Sequence, residues 1–470
     1  MLPAVRLKYR AFWWLTAIVL ACASLASASA TLLLEEPYGK LGFFTATGHA
    51  AVYLSNVCAD TPTVLRRCEP GETGVVLSRY DDLAGYDWLA IPLIPYLYAV
   101  ERPEDIPLFA DSKMVLFLRD QYRRKYLEGI VPDAPGGDPP SGIWYELVGS
   151  SYDRAIYGFE IETTEAQDDA LIRKLNSSPN RSHFHLVSNN CADFAKQIIN
   201  FYYPKALHRS LIADVGMTTP KQLAKMMLKF NSHHPELQFS RFVIAQAPGS
   251  MPRSSAPHGV VESFLKSKKY IVPSAIVSPI FAGCVFAVYV GTGAGRFEPD
   301  RDALVLTPWG DRQEPLSNGD RKAFRGQLKS LLSETQPVPP GENVEKEWSR
   351  LQARAKTDLD DHGAPVLHLG LQGKLIRVGA TAENLTEGNA PPELTREIVE
   401  ARLQSELRHS SPHGISRSEV IRDWSLLAKA QRESAETSRT AGIAAAGPDG
   451  GSEANSGFAA QSQRAFLSGP

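Results

Sequence analysis

The stretch 187-VSNNCADFAKQIINFYY-203 sets a cysteine directly after two asparagines and at the head of an apolar-periodic run. Asparagine is a strong helix N-cap, so Asn189 or Asn190 starts a helix and Cys191 falls in its first turn. Phe194, Ile198, Ile199 and Phe201 supply the face such a helix buries, while Ala192 and Ala195 leave room beside the thiol. Unpaired N–H groups and the positive end of the helix dipole stabilise a thiolate at that position. Cys191 is then either a small core residue or a nucleophile held at a helix start.

The other cysteines bear on that choice. The chain has 470 residues, enough for two or three domains, and five cysteines. Residues 1–30 run from basic ("MLPAVRLKYR") through apolar ("AFWWLTAIVLACASLA") to small ("SASA"), the order of an export signal cleaved after about Ala30. An uncleaved anchor, or a lipobox "VLAC" acylated at Cys22, are the variants; all three place the rest of the chain outside the cytoplasm, on the periplasmic face of a cell envelope. In that oxidising setting Cys58 and Cys68, which flank the turn-rich "ADTPTVLRR", pair as a local disulfide. Cys284 lies in a second apolar segment, which leaves Cys191 without a partner. Lys and Arg total 50 against 52 for Asp and Glu, so no basic surplus asks for nucleic acid.

The second apolar segment, "YIVPSAIVSPIFAGCVFAVYVGTGAG" (270–295), carries no charge and has the length to cross ~30 Å of hydrocarbon. It predicts one transmembrane helix over 270–292; the alternative is a buried hairpin of a soluble domain. "GTGAG" at 291–295 lacks the strand–turn–helix context of a phosphate loop and reads as the small-residue end of that span. The organisation expected is a signal peptide (1–30), an exported domain (31–262), the span, a small C-terminal α+β domain (300–434) and a disordered Gly/Ala/Ser tail (435–470).

Within the exported domain "HAAVYL", "TGVVLSRY", "RAIYGFEIETT" and "SHFHLV" read as strands. "TEAQDDALIRKLNSS", capped by Thr164, and "TPKQLAKMMLKF", capped by Thr219 with Pro220 in the first turn, read as helices. "KMVLFLRDQYRRKYLEGI" has helical spacing after a strand-like start. Beyond residue 300, "DALVLTPWG" and "APVLHLGLQGKLIRVGAT" predict strands and four amphipathic runs predict helices. The class is α+β.

A nucleophilic thiol needs a base from another element. His49 opens a strand directly after Gly48, in "TATGHAAVYLSN", where it can reach a helix start packed across the sheet. His183 and His185 are the second choice. A metal site from those two with Cys191 or His208 lacks paired-ligand spacing, so no metal or other cofactor is expected. The aromatic and proline-rich "YDWLAIPLIPYLYAVERP" (86–103) reads as core plus turn, or as an acyl-binding wall.

"GHAAVYL", then "VGSSYDRAIYGFEI", then "SNNCADFAKQII" resembles, in that order, the circularly permuted papain-like hydrolases of the NlpC/P60 superfamily. The resemblance extends to lecithin–retinol acyltransferase-like enzymes and to the periplasmic domain of bacterial lipoprotein N-acyltransferases. It covers about residues 38–205 and implies Cys191 as nucleophile and His49 as general base. It also implies a third polar residue on the next strand, "GVVLSRYDD", which offers Ser78 or Tyr80 on one face and Arg79 on the other; Ser78 is the candidate. The Cys191 backbone N–H, with Asn190 second, would face an oxyanion. The function expected is a membrane-tethered cysteine hydrolase or acyltransferase working through a Cys-His acyl-enzyme on an amide or ester of lipid or peptidoglycan peptide. A catalytically silent, membrane-anchored binding protein of the same fold is the alternative.

Overall fold

The computed structural model describes residues 28–39, 47–81, 83–181, 184–335, 343–371, 374–386, 390–408 and 414–445. The strands in chain order are β1 (Ser29–Glu35), β2 (His49–Leu54), β3 (Val57–Thr61), β4 (Val64–Arg67), β5 (Val75–Ser78), β6 (Leu89–Pro92), β7 (Ile156–Glu162), β8 (Phe239–Ile244), β9 (Leu304–Leu306), β10 (Arg312–Gln313), β11 (Lys356–Leu359), β12 (Pro365–Leu371) and β13 (Lys374–Gly379). An eight-stranded sheet runs in the order β10-β9-β8-β7-β1-β2-β5-β6, β11-β12-β13 form a second sheet, and β3-β4 is a hairpin. The architecture is α+β.

β1 occupies the middle of the large sheet, between β2 and β7. Its run Leu32–Leu34 does not alternate because both faces of the sheet are covered, which buries every side chain. On one face lie the helices Cys191–Tyr202 and Pro220–His233, packed on Leu32, Leu34, Ala50, Val52 and Leu77. On the other lie the helices Leu93–Tyr98 and Ser112–Tyr122, packed on Leu33, Ala51 and Val76. The expected export signal lies outside the described residues up to residue 27. Ser29 and Ala30, however, belong to β1, with Ala30 in register with Leu54 and Ile161. Cleavage after Ala30 would cut paired residues from a central strand.

The expected transmembrane helix is not formed: among the described residues no helix is long and apolar enough to cross a membrane. The segment breaks into two helices, Lys268–Val277 and Pro279–Gly291, at Ser278 (φ −145°, ψ 87°). Pro279 disfavours helical backbone at Ser278 and has no N–H to continue the helix, and the chain breaks there, although it stays helical through Pro273. Topology excludes the span as well. β8 precedes the segment and β9 comes after it, and the two pair directly, Phe242 with Leu304 and Val243 with Val305. Both flanks therefore sit in one sheet, on one side of any membrane.

The same pairing corrects the division into an exported domain and a separate C-terminal domain. Trp348, Leu367, Leu369 and Val378 share a core with Phe109, Met114 and Leu118. Arg402 Nη1 donates to the Leu108 carbonyl at 3.0 Å, and Gln352 Nε2 to the Phe109 carbonyl at 2.9 Å. The expected tail is shorter than 435–470, since the helix Arg417–Ala445 runs on through alanine-rich sequence of high helix propensity; residues 446–470 lie outside the described residues. The described part of the expected strand "SHFHLV", residues 184–187, is instead a turn, closed by the Asn189 N–H on the His185 carbonyl at 2.8 Å and the His185 N–H on the Asn189 carbonyl at 3.2 Å. Residues 86–103 form β6 and a short helix with Tyr96 and Tyr98 buried, which is core. Cys58 and Cys68 are joined as a disulfide across the β3-β4 hairpin.

Candidate active site at the head of the Cys191 helix

Asn190 caps the helix Cys191–Tyr202 in a capping box: its side chain accepts from the Asp193 N–H at 2.9 Å, and Asp193 reaches back to the Asn190 N–H. The Asn190 amide nitrogen donates to the carbonyls of Leu186 (2.8 Å) and Thr218 (3.1 Å). That commits the whole side chain to holding the helix start and takes Asn190 away from the oxyanion role expected of it. The helix lies on β2, with Ala192 and Ala195 among the residues packed on Ala50 and Val52, so small side chains permit a close approach.

Cys191 and His49 each keep a partial opening to solvent. The backbone N–H groups of Ala50 and Ala192 lie near enough to the Cys191 sulfur to favour its charged form. The sulfur therefore rests against the first peptide of β2, the one that follows His49. The thiol nevertheless does not behave as a helix start alone would make it. Burial pushes it up to about 11 against the pull of those two N–H groups, and the carboxylates Glu35 and Glu146 add to the rise. Burial also takes His49 down to about 3, with the Arg154 cation adding to the fall. At neutral pH the resting pair is thiol and imidazole, not thiolate and imidazolium.

Gly48 explains how the chain enters β2 with the imidazole in place. Its φ is +75°, and a Cβ there would lie 2.1 Å from the Glu35 carbonyl oxygen, so no side chain fits. His49 then stands in register with Glu35 across β1-β2. On its other side Ser78 Oγ lies 2.6 Å from His49 Nε2, and the Tyr80 ring stacks on the imidazole at 5.2 Å and 17°. The Tyr80 hydroxyl donates to the Glu146 carbonyl at 3.1 Å.

Side chains alternate through the end of β5 and the two residues that follow it, so this run serves both halves of the site. Ser78 and Tyr80 face His49. Arg79, between them and buried, faces the helix: it donates to Asn189 Oδ1 at 2.6 Å, pairs with Asp87 at 2.8 Å and lies over the Phe194 ring at 5.1 Å. Sequence reading missed the charged residues behind the imidazole. Glu35 accepts from the Tyr96 hydroxyl and pairs with Arg154 at 3.3 Å; Arg154 also faces Glu146 at 3.7 Å and covers the Tyr38 ring at 4.3 Å. The available signal was the glutamate pair Glu35–Glu36 closing an apolar run. His185 is placed elsewhere, exposed and bonded to Ser188 at 2.9 Å; His183 lies outside the described residues.

No family model matches the chain, and no curated protein or solved structure matches it either. The likeness to permuted papain-like enzymes therefore rests on the residues themselves.

Proposed function

We propose that the protein is a thiol enzyme of permuted papain-like fold in which Cys191 attacks the carbonyl of an amide or ester and His49 moves the proton. The observation that carries this reading is the shared strand start: the sulfur rests on the Ala50 peptide while the adjacent His49 has its Nε2 on Ser78. His49 Nε2 sits 2.6 Å from Ser78 Oγ. In the tautomer this mechanism needs, Ser78 accepts from Nε2–H and Nδ1 carries the lone pair. Nδ1 takes the thiol proton as the carbon–sulfur bond forms, and the oxyanion faces the Cys191 N–H, a first-turn group with no acceptor inside its helix. The imidazolium returns the proton to the leaving amine or alcohol, a thioester remains, and water or an amine resolves it.

The "MLPAVR…SASA" signal pattern and the disulfide favour an exported protein of the cell envelope, whose acyl donor is a lipid or a wall peptide. A p-nitrophenyl ester tests the chemistry. The expected result is one acyl adduct on Cys191, labile to hydroxylamine, absent in Cys191→Ala and lost in His49→Ala. An adduct that forms equally fast without His49 would sink the mechanism. The mass of an adduct trapped from envelope extract separates fatty acyl from muropeptide substrates. The second reading, a silent binding protein, is favoured by Ser78 standing where a carboxylate or amide would hold imidazolium better, and predicts no adduct at all.

A further inference from the structure

The helices Lys268–Val277 and Pro279–Gly291 bury none of their residues. The exposed side chains are large and apolar and cluster at the break: Ile276 is 77 % exposed, Val277 85 % and Ile280 81 %, with Val272, Phe281, Phe286 and Val290 more than half exposed. From Tyr270 to Gly295 there is no charged residue. A helix that is apolar all round needs apolar surroundings on every side, which a protein partner covering one face does not give and hydrocarbon does. Charges gather at both ends of the run: exposed Lys268 and Lys269 before it, with Lys266 paired to Glu262, and Arg296 after it, followed by Glu298, Asp300, Arg301 and Asp302, of which Arg301 pairs with Glu298. The two helices are about 15 and 20 Å long at 1.5 Å per residue, close to the ~15 Å of one leaflet and short of the ~30 Å of a bilayer. At the break Pro279 brings no N–H, and Ser278 Oγ accepts the Phe281 N–H at 3.4 Å.

A second apolar group lies at the start of the preceding helix, Val260–Lys266. Leu211 (81 % exposed), Ile212 and Val215 sit on a turn whose Asp214 accepts the Val260 N–H at 2.9 Å, at the start of the helix that leads into Lys268. The preceding Arg209 pairs with Asp193 in the first turn of the Cys191 helix at 3.0 Å.

We infer that these two helices enter one leaflet of an anionic membrane and leave on the same side, with lysines 268 and 269 on the lipid phosphates and the Leu211–Val215 turn resting in the interface. The β8–β9 pairing requires the return. This goes beyond the proposed chemistry and needs nothing from it.

The test is flotation of the full chain with vesicles of phosphatidylcholine alone and of phosphatidylcholine with phosphatidylglycerol. Wild type and Cys191→Ala are expected to float with the anionic vesicles, and the doubly changed Ile276→Asp/Ile280→Asp to stay in solution with an unchanged thermal melt. Lys268→Glu/Lys269→Glu is expected to lose the preference for phosphatidylglycerol. An environment-sensitive fluorophore on Cys284, in a Cys22→Ser/Cys191→Ala background, should shift to the blue on mixing with vesicles. Flotation unchanged by Ile276→Asp/Ile280→Asp overturns the inference. So does a wild type that stays in solution, whether monomeric or self-associated through these helices.

Discussion

Alkylation of Cys191 by iodoacetamide, followed against pH by peptide mass, tests whether the resting pair is neutral. An ordinary cysteine with a pKa near 8.5 is about one-quarter thiolate at pH 8, whereas a thiol pushed up to about 11 is about one-thousandth thiolate. The ratio of a few hundred is partly offset, because a more basic thiolate is intrinsically more nucleophilic, by roughly tenfold over this interval. Cys191 should therefore react roughly 20-fold more slowly than a cysteine in an unstructured peptide at pH 8. Its rate should climb about tenfold per pH unit without levelling before pH 10. His49→Ala should leave that profile in place while abolishing acylation by the ester probe, since His49 acts in the attack and not by holding a thiolate beforehand. A rate that is already on a plateau below pH 7 would refute the reasoning, because it marks a preformed thiolate–imidazolium pair.

The same burial gives His49 a signature in stability. Its folded-state pKa, about 3, lies below the unfolded value near 6.5, so its contribution is present above about 6.5 and is lost as pH falls toward 3. The unfolding free energy from urea titration should fall across that window by up to about 1.4 kcal/mol per pH unit, and less steeply in His49→Gln; equal slopes would mean the imidazole is freely hydrated. Gly48→Ala should destabilise by more than about 2 kcal/mol, from left-handed backbone plus the clash with the Glu35 carbonyl. Gly39→Ala, at φ +77° with open space around it, should cost only about 1–2 kcal/mol in the same melt. Arg154→Met leaves Glu35 buried and unpaired and should cost about 3–5 kcal/mol, much of it restored in Glu35→Gln/Arg154→Met; additive losses in urea titration would deny the pair.

Local rules were legible wherever neighbours in sequence settle the matter. Asn190, Thr164 and Thr219 all cap the helices read from them, because a cap bonds to an N–H two or three residues away. Alternation carried past the end of β5 placed Ser78 and Tyr80 opposite Arg79 from sequence alone. β1 was not legible: a short leucine run buried on both faces reads equally as the end of a signal segment, and only β2 and β7 beside it make it a strand. The 270–295 run failed for the opposite reason, since its hydropathy was real but hydropathy does not say where both ends of a segment must return.

By itself, then, the chain determined its periodicities, its caps, the Cys58–Cys68 pairing and the candidacy of Cys191 and His49, all consequences of short-range geometry and residue chemistry. Tertiary structure decided the rest. It joined β8 to β9, put Glu35 opposite His49, turned Arg79 to the helix cap, and buried the thiol deeply enough that desolvation outweighs the helix start. Charge solvation depends on every element packed around a group, and that sum is not written in any one stretch of sequence.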